Sequence, residues 1–149
     1  MGRPFSFYVH EAKMLKLSHV ETSPEGEARI LDLLFQHADD KGMPFKPETW
    51  LIEAHEDETF LGGLCARAGS DFVFVQYLAV SPEARGRGLG SKLLQDVEKR
   101  AKDAGKLGVY LDTFAFQAPD FYKAEGYIEF GRLKGAHYGQ DRFYFVKTF

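Results

Sequence analysis

Cysteine is almost missing from this chain. A single thiol, Cys65, leaves no partner for an internal disulfide, so nothing in the sequence calls for an oxidising compartment. Long apolar runs are missing too, and no stretch approaches the roughly 20 residues needed to cross a bilayer. The N-terminal stretch holds an aromatic cluster, Phe5, Phe7 and Tyr8, without the apolar core or small-residue cleavage site of a signal peptide. Positive charge is not in excess: 19 Lys and Arg stand against 22 Asp and Glu, a net charge of −3. Nucleic-acid binding, which draws on a basic surface, is therefore disfavoured. No repeat, low-complexity tract or Pro/Gly/Ser-rich linker divides the 149 residues. Together these absences predict one soluble, cytoplasmic domain over residues 1–149, with no membrane or nucleic-acid partner and no metal.

What is present is an alternation of helical and strand periods. Ile30, Leu34 and Ala38 recur every four residues after Pro24, with Glu25 and Glu27 suited to a first turn, and the helix should stop before Gly42. Trp50–His55 and Phe60–Ala66 read as strands around the acidic turn Glu56–Glu58. Phe72–Val80 is a near-continuous β-type run, as in a central strand covered on both faces. Leu89, Leu93, Val97 and Ala101 then mark a second helix that Gly105 terminates. Val109–Thr113 is a short strand, and Pro119 opens a helix that Gly126 closes. Tyr127–Phe130 and Phe143–Lys147 can pair as a last hairpin. This order predicts a mixed α/β fold with a strand–helix–strand crossover at its centre.

The crossover carries the chemistry. Between its strand and helix lie Arg85, Gly86, Arg87, Gly88, Leu89, Gly90 and Ser91. Glycines let a ligand approach the backbone, and the free N–H groups of a helix start attract anions. Two arginines add permanent positive charge. A Walker loop does not fit, because Ser91 stands where its second glycine belongs and Leu93 where its hydroxyl belongs. A dinucleotide fingerprint fails at Ser91 as well. What remains is R-x-x-G-x-G, Arg85-x-x-Gly88-x-Gly90, behind the strand end Leu78-Ala79-Val80.

This pattern resembles the acetyl-CoA-binding signature of the GNAT superfamily of N-acetyltransferases, and the resemblance runs from about Leu15 onward. It implies a central mixed, mostly antiparallel sheet flanked by helices on both faces. It implies acetyl-CoA as cosubstrate, with the amides of Arg85–Ser91 on its pyrophosphate and Leu78, Ala79 and Val80 along its pantetheine arm and acetyl group. Ala118–Tyr127 is similar to the family's second signature, which places Tyr122 where a hydroxyl protonates the departing thiolate. Ala115 departs from that signature, since many relatives carry asparagine there, and Gln117 is the substitute for its pantetheine contact.

The amine acceptor must lose a proton, and the family does not fix its base. Asp112 leads the candidates, followed by Glu53, Glu83 and His137; each has a plain role in a turn or on a solvated surface as well. Of Gln76 and Tyr77, one is expected to face the acceptor cleft and the other to face away. Phe45, Trp50 and Tyr138 are expected to form an aromatic wall, and Asp39, Asp40 and Glu48 to attract a cation. Cys65 reads as a buried small hydrophobe. The acceptor read from this is a small-molecule primary amine. A protein or peptide N-acetyltransferase and a non-catalytic acyl-CoA-binding module stay open beside it, and a homodimer is allowed.

Overall fold

The structure is a computed structural model that describes Gly2 and residues 13–149, so the Phe5, Phe7 and Tyr8 cluster lies outside the described residues. In chain order the elements are α1 (Pro24–Asp40), β1 (Glu48–Glu56), β2 (Thr59–Ala68), β3 (Phe72–Val80), a single 3-10 turn (Pro82–Ala84), α2 (Leu89–Asp103), β4 (Gly108–Phe114), α3 (Pro119–Ala124), β5 (Ile128–His137) and β6 (Gln140–Thr148). Ser23 starts α1 by accepting the N–H of Gly26 on its hydroxyl, ahead of Pro24 at the first turn. Of the stripe Ile30, Leu34 and Ala38, only Ala38 is buried against described residues.

The six strands form one sheet in the order β1-β2-β3-β4-β6-β5. Neighbours are antiparallel except β3 and β4, which run parallel because α2 carries the chain across. Leu93, Leu94, Val97 and Ala101 of α2 bury against Leu64, Ala66, Val73, Val75, Val109, Leu111 and Phe145 of the sheet. Seven large side chains in this layer are under 2% exposed, which makes it the mechanical centre of the fold. Among the described residues no helix is long and apolar enough to cross a membrane.

One polar cluster sits beside that core. Glu98, 5% exposed on α2, takes Lys147 Nζ at 2.6 Å and the Tyr127 hydroxyl at 3.3 Å. Lys147 also donates to the Glu125 carbonyl at 3.0 Å, so it ties β6 to the C-terminal end of α3. A buried carboxylate is tolerable here because both of its oxygens are bonded.

The last hairpin is longer than its apolar pattern predicts. β5 continues from Ile128 to His137 through register irregularities, and nearly every residue in it is exposed. It is an edge strand with no buried face, and so it shows no apolar alternation to read.

Candidate active site

β3 and β4 begin as a paired parallel ladder and then part. Their register covers Phe72–Val75 against Gly108–Leu111 and stops there. The same point carries a bulge: Cys65 opposes Tyr77 and Ala66 opposes Val75, so Gln76 is the extra residue on β3. Beyond it the two strands splay, and the edge of β3 from Gln76 to Val80 turns towards the gap. β3 is therefore covered by α2 on one face only. On the other face Tyr77 is 65% exposed, which corrects the expectation of a strand covered on both sides.

Two cavities occupy the splay. One, of about 480 Å³, runs from Arg85, Gly86, Gly88, Gly90 and Ser91 past Leu78–Val80 to Tyr122. The other, of about 630 Å³, is walled by Phe74, Gln76, Tyr77, Asp112, Phe114, Gln117, Tyr122 and Arg142. They share Leu78, Ala79, Ala118 and Tyr122. Tyr122 thus stands where the two meet.

The loop is shaped for an anion at its backbone. Gly88 caps α2 with φ +73°, a left-handed conformation that costs an L-residue strain. A Cβ on Gly86 or Gly88 would meet nothing within 4 Å, so these glycines serve conformation and leave the surface over the loop open. Gly90 differs: its Cβ would touch the Phe121 ring at 3.4 Å, so a bare backbone lets α3 lie against the start of α2. Lys92 N–H is already bonded back to the Gly88 carbonyl at 3.1 Å, and the amides of the first turn before it have no helical partner. A diphosphate fits this cradle, and a cavity leading from it to Tyr122 fits the arm of acetyl-CoA.

The loop's side chains are less free than its amides. Arg87 is paired with Glu56 of the β1–β2 hairpin, and the Ser91 hydroxyl donates to Glu125 at the end of α3. These pairings leave the backbone N–H groups of Arg87 and Ser91 as the parts open to a ligand. Arg85 borders the cavity directly.

Tyr122 is 8% exposed, held by ring contacts to Phe121, Tyr127 and Phe145 at 5.1, 6.0 and 6.0 Å. Burial and then the nearby charge of Asp112 push its phenol up to about 12. It is a neutral hydrogen-bond donor throughout the physiological range.

Asp112 lies across the cavity and is not a bare carboxylate. Its Oδ1 accepts a hydrogen bond from Arg142 Nε at 3.0 Å and lies 2.9 Å from Arg142 Nη2 in an ion pair. The hydrogen bond that Arg142 donates to Asp112 raises the guanidinium above its ordinary value, so Arg142 stays charged. Gln117 turns its Oε1 to the Phe114 N–H at 2.9 Å and the Thr113 hydroxyl at 3.3 Å, which fixes the β4–α3 turn. Its amide nitrogen has no hydrogen-bond partner among the described residues.

Other expectations fare unevenly. Gln76 and Tyr77 do not point apart: Gln76 Nε2 donates to the Tyr77 hydroxyl at 3.2 Å and both border the cleft, because the bulge breaks the alternation. Glu53 is bonded to His55 Nε2 at 2.9 Å and borders a separate 390 Å³ hollow with Cys65, which is half-buried and not part of the core. Glu83 is exposed on the 3-10 turn. His137 packs on Phe114 and Phe116 at 5.2 and 5.9 Å. The expected aromatic wall does not form. Trp50 is 4% exposed under Arg100, Phe45 borders a different cavity, and Tyr138 is 94% exposed at the hairpin tip. The rings that do face the cleft are Phe74, Tyr77 and Phe114. Arg142 was missed because an arginine in a final strand carries no local signal.

Comparison with known proteins agrees with this geometry. Residues 13–127 match the Acetyltransferase (GNAT) family. An acetyltransferase of Agrobacterium fabrum is 32% identical over 95 residues, 64% of this chain and 69% of that one. The blasticidin-S acetyltransferase of Streptomyces morookaense is 42% identical over 67 residues, 44% of this chain and 49% of that one. A crystal structure from Agrobacterium tumefaciens, assigned as an acetyltransferase, superposes with a TM-score of 0.83 at 27% identity, covering 91% of this chain and all of that one. An acetyltransferase from Bacillus cereus follows with a TM-score of 0.72 at 26% identity, covering 89% and 98%. With a mixed α/β fold, a glycine-rich loop at the start of α2 and a cleft leading from it to Tyr122, this chain belongs to the GNAT family of acetyltransferases, and acetyl-CoA is its cosubstrate.

Proposed function

We propose that the chain transfers the acetyl group of acetyl-CoA to the primary amine of a small molecule, by direct attack while both substrates are bound. The observation that carries this reading is the position of Tyr122 at the junction of the loop cavity and the cavity holding Asp112 and Arg142. A thioester arm entering along Leu78–Val80 would end at the phenol, and an amine entering from the other side would meet it there.

In this reading the amides of residues 85–91 hold the diphosphate, and Gln117 Nε2 contacts the arm. Asp112 Oδ2 takes the proton that the amine nitrogen sheds as its bond to the acyl carbon forms. That step makes the N–H far more acidic than in a free alkylammonium, whose pKa is near 10. Tyr122 donates a hydrogen bond to the sulfur as it leaves. A phenol at about 12 is a weaker acid than a thiol near 8.5, so complete transfer of its proton is uphill by on the order of 5 kcal/mol. Tyr122 therefore stabilises the developing thiolate, and the net proton that the thiol gains comes from the amine.

The walls favour a small acceptor over a peptide. The 630 Å³ cavity is bounded by the Phe74, Tyr77 and Phe114 rings and by Arg142 from β6, a volume suited to a single small molecule. The resemblance to a blasticidin-S acetyltransferase supports the same choice. A screen of polyamines, aminoglycosides, amino acids and peptides, read by release of free CoA, tests it. Turnover concentrated in the small amines is the expected outcome. Preference for peptides would move the reading to protein acetylation, and acetyl-CoA binding with no turnover on any amine would move it to a non-catalytic binding module.

A further inference from the structure

The charged side chains that wall the 630 Å³ cavity are two, Asp112 and Arg142, and they are of opposite sign. Its remaining polar lining comes from the amide and hydroxyl side chains of Gln76, Tyr77, Thr113, Gln117 and Tyr122. The two charges meet on a single oxygen, since Arg142 Nε donates to Asp112 Oδ1 at 3.0 Å and Nη2 lies 2.9 Å from the same oxygen. That arrangement spends half of each group. Among the described residues Asp112 Oδ2 and Arg142 Nη1 have no hydrogen-bond partner, and so each presents an unused face. The guanidinium is also held between rings, 5.6 Å from the centre of Phe114 and 5.3 Å from that of Tyr144. A planar cation supported in this way is suited to a carboxylate, which it can meet with paired N–H groups.

We propose that Arg142 is a specificity-determining residue that selects acceptor amines carrying a carboxylate close to the amino group, the ammonium meeting Asp112 Oδ2 and the carboxylate meeting Arg142. This rests on the reading that the cavity beyond Tyr122 is the acceptor site. The paired lining has no net charge, so it offers a polycation one acid and one repelling arginine. A zwitterion satisfies both groups at once. The substrate class is therefore an amino acid or an amino-acid-bearing small molecule.

The test uses the whole chain, acetyl-CoA and matched probes: β-alanine against β-alaninamide, phenylalanine against phenylalaninamide, and spermidine as the polycation. The amides keep more free amine at neutral pH, so intrinsic reactivity works against the proposal. The expected result is a kcat/KM for the carboxylate member more than tenfold above its amide, carried by KM. Arg142→Met should bring that ratio close to one, and Arg142→Lys, which keeps the charge, should retain part of it. Preference for the amides or spermidine overturns the inference. So does a ratio unmoved by Arg142→Met, which would mark the residue as structural. If no probe is turned over, the inference fails as well. Calorimetric binding of acetyl-CoA then separates the cases: binding leaves the transfer reading standing, and no binding removes both.

Discussion

Replacing Tyr122 by phenylalanine removes one oxygen and keeps the ring. The ring supplies the packing, through Phe121, Tyr127 and Phe145 at 5.1 to 6.0 Å, and among the described residues the hydroxyl bonds to nothing in the protein. Folding should therefore change by less than about 1 kcal/mol, because no internal hydrogen bond is lost. The substitution leaves the loop amides of residues 85–91 untouched, so the dissociation constant of acetyl-CoA should stay within about twofold. Turnover should not. Loss of a positioned hydrogen-bond donor to a developing anion costs about two to three orders of magnitude in rate, and here the fall should appear in kcat and kcat/KM together. The assay follows free CoA with a thiol reagent, using the best acceptor of the amine screen, and calorimetry supplies the affinity. Unchanged turnover would refute the role given to Tyr122. A loss of affinity in step with rate would show instead that the ring shift had spoiled the cofactor cleft.

Further outcomes follow from the same geometry. Burial holds Tyr122 above its unfolded value near 10, so its contribution to stability is whole below pH 10 and is lost as the pH climbs towards about 12. Urea melts across that range should fall by on the order of 2 to 3 kcal/mol, and Tyr122→Phe should remove that part of the slope. Burial, with Glu98 beside it, raises Tyr127 further still, and its share should persist in that variant. Lys147→Met leaves Glu98 buried without its cation and should cost about 3 to 5 kcal/mol in chemical denaturation, most of it recovered by adding Glu98→Leu. Gly88→Ala should weaken acetyl-CoA by about tenfold, because a methyl there touches nothing but the loop relaxes out of the left-handed conformation that binding must then restore. Thermal melts of that variant should fall only slightly.

Much of this was legible in the chain itself, for identifiable reasons. Strong periods and explicit punctuation placed β3, α2, β4 and α3 within a few residues: Pro119 and Gly126 bound α3, and Gly105 follows the end of α2. The loop could be read because its glycines act through backbone conformation, and glycine is the residue that declares such a need. Pair contacts across the sheet were not legible. Nothing local links Asp112 to Arg142, which is 30 positions away, or Glu98 to Lys147, which is 49 away. A bulge that is one residue long turned Gln76 to the side of Tyr77, against simple alternation. Trp50 was misplaced because an indole reads equally well as a binding wall and as core, and here it packs under Arg100 against α2.

The most direct measurement is the calorimetric affinity of acetyl-CoA for the intact chain and for Gly88→Glu. The account expects a clear, saturable one-to-one isotherm for the first. It expects none for the second, because a carboxylate would then stand over the amides that hold the diphosphate. An affinity unchanged by the substitution would contradict the account, and the loop at the start of α2 would be a turn and nothing more.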